Sequence, residues 1–153
     1  GSGVYVISND NMEEINHFTS QNSDILSDNI NSIAINENSG EVYIATDNGL
    51  CSYMSDATKP VETMEKDNVY AYPNPVNPEY TGQITILGLT FNADVKITTA
   101  TGYLVAEGRS NGGTFIWNGC DSSGKRVASG IYNVITATST GEKGTVCKIA
   151  IIN

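Results

Sequence analysis

The sequence predicts an all-β fold in two parts, and three observations lead to this prediction. Charged residues make up only 16% of the 153 residues, while Gly, Ser, Thr and Asn are frequent, which favours short strands and turns over helices. Short segments in which apolar and polar residues alternate recur along the chain. Turn-forming residues separate nearly all of these segments, as expected of antiparallel sheets.

The first part contains an internal repeat. The segment "GVYVIS" at 3–8 is similar to "GLCSYM" at 49–54, and the two begin 46 residues apart, which is close to the length of a four-stranded β-propeller blade. We therefore predict that residues 1–54 form a partial β-propeller blade; the alternative is a small β-meander. Three further strands are predicted between the two copies, at 15–19, 30–36 and 41–47.

The segment from 55 to 68 has little apolar periodicity and a central Lys59-Pro60 pair. We predict an exposed linker here, with a short turn of helix near Glu62–Lys66.

Residues 69–153 are predicted to form a seven-stranded Ig-like β-sandwich. Seven alternating segments with regular turns occur within this part, a pattern typical of such sandwiches. Pro73 and Pro75 end the first strand or place it at a sheet edge, because proline donates no amide hydrogen bond. The predicted strands are 69–72, 83–87, 94–100, 103–107, 114–117, 131–138 and 145–152.

The stretch "WNGCDSSGKRVASGIY" at 117–132 has three interpretations: a metal loop, an active-site loop or a structural corner of the sandwich. A calcium loop needs several closely spaced acidic or amide oxygens, whereas here only Asp121, with Asn118, could contribute. A buried Trp and a Tyr whose hydroxyl bonds back to the backbone are typical of a sandwich corner. We favour the corner, without metal or cofactor, and assign to it Trp117, Gly119, Asp121, Gly124, Gly130 and Tyr132.

Catalytic chemistry is not expected, and the chain is predicted not to be an enzyme. The single histidine, His17, lies in an alternating segment, and no glycine-rich phosphate loop is present. The three cysteines lack metal-ligand spacing; we favour free thiols, and a Cys120–Cys147 disulfide is the alternative. Three aromatic residues near the prolines could stack on sugar rings, although a core or edge role is the main alternative for them: Tyr70, Tyr72 and Tyr80.

Charge is distributed unevenly along the chain. Residues 1–66 carry eleven acidic residues and two lysines, whereas residues 67–153 carry equal numbers of acids and bases. The acidic part argues against a nucleic-acid partner. No apolar run is long enough for a membrane helix, and no signal peptide is recognisable.

Several motifs together resemble known families. The succession "YPNPV", "GYLV", "WNGCDSSGKRVASGIYNV" and "GTVCKIAIIN" is similar to the C-terminal sorting domain of type IX secretion cargo and to the Ig-like domain of the flagellar hook-cap protein. The stretch "ILSDNINSIAINENSGEVYIATDNGLCSY" resembles the repeat of two-component-regulator type β-propellers, which often have Trp where Tyr43 stands. A propeller followed directly by such a domain resembles a surface component of type IX secretion.

This resemblance implies a non-catalytic module of the cell surface or outer membrane, exported and acting through contacts with secretion-machinery proteins or lipopolysaccharide. The alternative is a glycan-binding or sensor ectodomain that serves polysaccharide use. A lone sheet of propeller strands is marginal in water, so we also expect residues 3–54 to pack against the second part or to self-associate.

Overall fold

A computed structural model describes residues 1–8, 12–56 and 58–153. Over these residues it holds twelve strands in four antiparallel sheets and no helix, which confirms the predicted all-β fold. The chain divides into two compact units, Gly1–Ser55 and Asp56–Asn153. Each unit is described separately.

The first unit contains five strands in two sheets. Strands β1 and β2 form a hairpin, and strands β3, β4 and β5 form a three-stranded meander in that order. The bounds are β1 Val4–Ile7, β2 Glu14–Phe18, β3 Ile30–Asn36, β4 Glu41–Thr46 and β5 Gly49–Met54.

The two similar sequence segments lie in different sheets of this unit. Strand β1 carries the first segment and strand β5 carries the second. The blade repeat itself stays a prediction.

Both faces of the meander are rich in apolar side chains. The strand register places Ile33, Ile44 and Cys51 on one face, and Ala34, Tyr43 and Ser52 on the other. Only part of this surface is covered, since Ile44 is fully buried but Ile33, Ile35, Leu50 and Met54 are exposed. Exposed apolar side chains on both faces are typical of a sheet on which further layers pack.

The second unit is a sandwich of one three-stranded and one four-stranded sheet, with strand orders β10-β7-β6 and β12-β11-β8-β9. In a constant-type Ig domain, the fourth strand pairs with the fifth. Here the fourth strand of the unit, β9, pairs with the third strand, β8. The bounds are β6 Tyr70–Tyr72, β7 Ile84–Leu87, β8 Asp94–Thr99, β9 Leu104–Arg109, β10 Phe115–Trp117, β11 Gly130–Ala137 and β12 Lys143–Ile151.

The core of the sandwich lies between its two sheets. Branched aliphatic side chains alternate inward along each long strand, as the period-two pattern requires. Fully buried members from both sheets pack in one cluster: Ile84, Ile86, Val95, Ile97, Val134 and Ile149.

Residues 58–68 of the segment expected to be an exposed linker lie within the second unit, and residues 62, 63 and 65–68 are exposed as expected. Two apolar side chains of this segment pack on the sandwich. Met64 is only 8% exposed and is part of the core cluster, against which Val61 also packs. The Val61 amide donates to the Leu89 carbonyl at 3.0 Å. In place of the expected turn of helix, a turn closes where the Val69 amide donates to the Glu65 carbonyl at 3.1 Å. These two apolar side chains attach an irregular segment to the sandwich. Because they are isolated, the sequence shows no periodic pattern there.

Candidate interaction site

The tryptophan at the end of β10 is buried between the two sheets. Trp117 is 3% exposed, and its indole Nε1 donates to the Cys120 carbonyl at 2.8 Å. Its ring lies 5.8 Å from that of Tyr132 in a tilted arrangement. The Tyr132 hydroxyl donates to the Ala128 carbonyl at 2.8 Å, the backbone-directed bond that a tyrosine corner requires. The two aromatic residues thus fix the path of the chain between β10 and β11.

The loop after Trp117 is closed around the carboxylate of Asp121. Asp121 Oδ1 accepts hydrogen bonds from the Ser123 hydroxyl at 2.6 Å, the Ser123 amide at 2.9 Å and the Lys125 amide at 3.1 Å. These donors, with the Ser123 hydroxyl first, hold the pKa of Asp121 below its ordinary value. The carboxylate therefore organises the turn. Among the described residues, no group of three or more His, Cys, Asp or Glu side chains comes together to hold a metal ion.

The three glycines of the motif have different roles. Gly119 and Gly124 have φ angles of +71° and +82°, which side chains rarely allow. A Cβ on Gly119 would also approach the Arg126 guanidinium to 3.1 Å. At Gly130 the nearest atom to an added Cβ is 3.8 Å away, on Tyr132, so the space there does not require glycine.

Of the three tyrosines considered as ligand contacts, the structure brings two together. Tyr70 and Tyr72 lie two residues apart on β6, on the outer face of its sheet, and are 54% and 70% exposed. Tyr80 instead packs against the core, and its hydroxyl donates to the Gln83 carbonyl at 2.7 Å. Tyr80 therefore lies apart from the exposed pair.

The outer face around the tyrosine pair is uncharged. The register places Leu87 beside Tyr70, Thr85 beside Tyr72, and Ile116 beside Thr85. We call these five residues the tyrosine face. The sequence did not identify the last three, because assigning them required knowing which strands pair and in which register.

The histidine and the cysteines have the following surroundings. The His17 ring stacks on Tyr5 at 3.9 Å, and its Nε2 contacts the Ser2 carbonyl oxygen. Burial raises the pKa of Cys147 to about 11, which keeps its thiol protonated at neutral pH. All three cysteines are free thiols. Over the described part of the chain, the structure holds no helix with the length and apolar character needed to cross a lipid bilayer.

A comparison with solved structures identifies the relationship of this chain. It aligns over 100% of its length with PorZ of Porphyromonas gingivalis, described as an essential bacterial surface component of the type-IX secretion system, at 38% identity and a TM-score of 0.62. Over its whole length the chain is PorZ-like. It spans 20% of the length of that PorZ chain.

Other comparisons add little. Dimeric latent PorU from Porphyromonas gingivalis aligns with 73% of this chain and 12% of its own at 18% identity and a TM-score of 0.41, and so weak a likeness does not establish a shared fold. No protein-family profile and no curated protein matches the chain.

Proposed function

We propose that this chain is part of a non-catalytic surface module associated with type IX secretion. The observation that carries this proposal is its identity of 38% with PorZ, maintained over the whole chain. In this proposal, residues 1–54 contribute the last strands of a β-propeller, and residues 69–153 are an Ig-like C-terminal sorting domain. The module is exported and located at the cell surface or outer membrane, or is released to the exterior.

The proposed recognition is of a folded domain. The end of β12 is paired on both sides: β11 lies on one side, and on the other the Val76 amide donates to the Ala150 carbonyl at 2.8 Å. The Ile152 amide donates back to the Val76 carbonyl at 2.9 Å, and Ile151 is buried. A partner therefore meets the outer side chains of the sandwich, through contacts with secretion-machinery proteins or with lipopolysaccharide.

Deletion tests this function. In a host with type IX secretion, removal of residues 56–153 from the full-length protein is expected to abolish its surface display, measured by protease accessibility on intact cells. Tyr103→Ala is the folding control: because this side chain is 77% exposed, its replacement should leave the domain folded, and its display is measured beside that of the deletion protein. Normal display of the deletion protein would refute the sorting role.

The tyrosine face supports a second candidate function, glycan binding. Flat, exposed aromatic rings on an uncharged surface suit the apolar faces of sugar rings. If this is correct, the double variant Tyr70→Ala/Tyr72→Ala loses binding to purified lipopolysaccharide or polysaccharide while Tyr103→Ala retains it. Equal binding by both variants would exclude the tyrosine face as the glycan site.

We also propose that the first unit self-associates when this chain is isolated. The meander exposes Ile33, Ile35, Leu50 and Met54, and the outer edge of β5 has no partner strand among the described residues of its unit. Burial of apolar surface contributes about 25 cal/mol per Å², whereas the repulsion between acidic units is screened beyond about 10 Å at physiological salt. Light scattering after size exclusion should then give a mass above that of one chain, and a strict monomer would contradict this proposal.

A further inference from the structure

The four sheet edges of the second unit are protected to different degrees. Along β12, the Asn74 side chain donates to the Lys148 carbonyl at 2.8 Å and accepts from the Ala150 amide at 3.0 Å. Strand β6 has only three residues and is followed by Pro73 and Pro75. Short strands, prolines and covering segments are the usual means of blocking a sheet edge.

The segment that leads into β10 is held by residues 56 and 58. The Asn111 side chain donates to Asp56 Oδ2 at 2.7 Å, and the Gly113 amide donates to the Thr58 carbonyl at 3.2 Å. Strand β9 has six residues and pairs only with β8. Within the described residues of the second unit, no segment hydrogen-bonds to its outer edge.

The register shows which backbone groups of β9 point away from the sheet. The Ser110 amide donates to the Ala93 carbonyl at 2.9 Å, so this pair is hydrogen-bonded, and in an antiparallel ladder every second pair then follows the same pattern. The intervening residues, Glu107 and Arg109, therefore direct their amides and carbonyls outward. Their side chains lie on the outer sheet face, where Arg109 contacts Asp94 at 3.2 Å, and so they do not obstruct the hydrogen-bonding direction.

A cleft of about 330 Å³ lies beside this edge. The start of β9 forms one wall and the loop after Trp117 forms the other. The cleft combines apolar groups with two charged residues, both of them acidic. Its lining includes Leu104, Val105, Ala106, Glu107, Trp117 and Asp121.

The carboxylates of Asp121 and Glu107 have oxygen atoms that could accept hydrogen bonds from a cationic side chain. All three hydrogen bonds recorded for the Asp121 carboxylate go to Oδ1, so over the described residues Oδ2 has no hydrogen-bond donor. Glu107 has only a long contact of 3.9 Å with Lys96, on the exposed face. Such an exposed pair holds its carboxylate weakly.

We propose that the β9 edge and the adjoining cleft bind an extended strand of a partner protein, with a basic side chain between apolar ones. The outward amides and carbonyls select an extended polypeptide, because they pair with backbone at strand spacing. Side chains of a bound strand alternate between its two faces. The apolar lining accepts a Val or Leu side chain on the cleft side, and a Lys or Arg side chain on the opposite side meets the Glu107 carboxylate on the outer sheet face. This binding site does not depend on the secretion role proposed above.

The single tryptophan of the chain makes the cleft directly observable, since Trp117 contributes to its lining. The probe is a blocked eight-residue peptide of alternating Val and Thr with one central Lys, added to the full 153-residue chain. We expect a saturable change in Trp117 emission, together with slowed hydrogen exchange at the amides of Glu107 and Arg109. The same peptide with a central Glu should bind more weakly.

Two variants isolate the backbone contribution. Glu107→Ala and Glu107→Pro both lack the carboxylate, but only the proline lacks the outward amide, so the proline variant should bind the peptide about tenfold more weakly. Thermal unfolding verifies that both variants are folded, and the exchange measurement on the parent chain is independent of them.

Three results would overturn the proposal. The first is the absence of any saturable emission change and of exchange protection at several millimolar peptide. The second is equal peptide affinity of the folded proline and alanine variants. The third is a dimer that forms through β9 and excludes the peptide, which would make a second copy of this chain the occupant.

Discussion

Replacement of Trp117 by Ala should strongly destabilise the second unit. The indole is almost completely buried, and a buried aromatic side chain removes about 150–250 Å² from water. The change also removes the tilted contact with Tyr132 and the hydrogen bond to the Cys120 carbonyl. Large-to-small replacements of this kind cost about 3–5 kcal/mol, because the lost burial and the remaining cavity add together.

The measurement is urea and thermal unfolding followed by circular dichroism, since the variant has no tryptophan to report by fluorescence. For a unit of this size each kcal/mol shifts Tm by about 4–8 °C, so we expect a decrease of more than about 10 °C. Tyr103→Ala, which removes an exposed aromatic, should remain close to the parent. If Trp117→Ala loses less than about 1 kcal/mol, the indole does not support the corner and the packing argument is wrong.

Three further predictions concern the same unit. Tyr132→Phe removes only the hydroxyl bond to Ala128 and should cost about 1 kcal/mol in urea unfolding; no loss would show that this bond is dispensable. Asp121→Asn should destabilise the unit at neutral pH. The difference from the parent should vanish as pH falls through the lowered pKa of Asp121, because a carboxylate with a depressed pKa stabilises the fold only while it is ionised. Calcium in place of a chelator should leave the Tm of the parent unchanged, and a rise of several degrees would indicate a metal site. Because burial raises the pKa of Cys147 to about 11, its thiol contributes its full stabilisation below the pKa of the unfolded thiol, and this contribution is lost as pH rises toward 11. Cys147→Ala should therefore flatten the decline in the free energy of unfolding over this pH range. Alkylation of Cys147 in the folded chain as fast as in the urea-unfolded chain would contradict its burial.

Alternation allowed the strands of the sandwich to be predicted from sequence. The predicted segments 94–100 and 145–152 correspond to β8 and β12 within about two residues, because each long strand buries one face and the period of two is visible. Strand β9 extends to Arg109, beyond the predicted end at 107. Its exposed, charged end lacks the apolar alternation that would have indicated it.

Contacts between distant segments could not be predicted. Met64 and Val61 pack on the core from a stretch without periodicity, and only the folded sandwich supplies the surface that buries them. Likewise, exposed Tyr72 and half-buried Tyr80 both lie near prolines, and sequence gives no indication of which one packs inward. The pairing of β9 with β8, which creates the open edge, is also a choice between topologies that have the same strand order in sequence.

The two units differ in how completely they bury their own apolar side chains. In the second unit each sheet turns one face inward, and residues from both sheets, such as Ile86 and Val134, are fully buried within the unit itself. In the first unit apolar side chains lie on both faces of the meander, and Ile33 and Leu50 on opposite faces stay exposed. A sheet of three strands with this pattern needs further layers to bury its surface, whereas a sandwich does not. The second unit therefore buries its own core and has what it needs to fold independently, whereas the first unit needs further layers to cover its exposed apolar side chains.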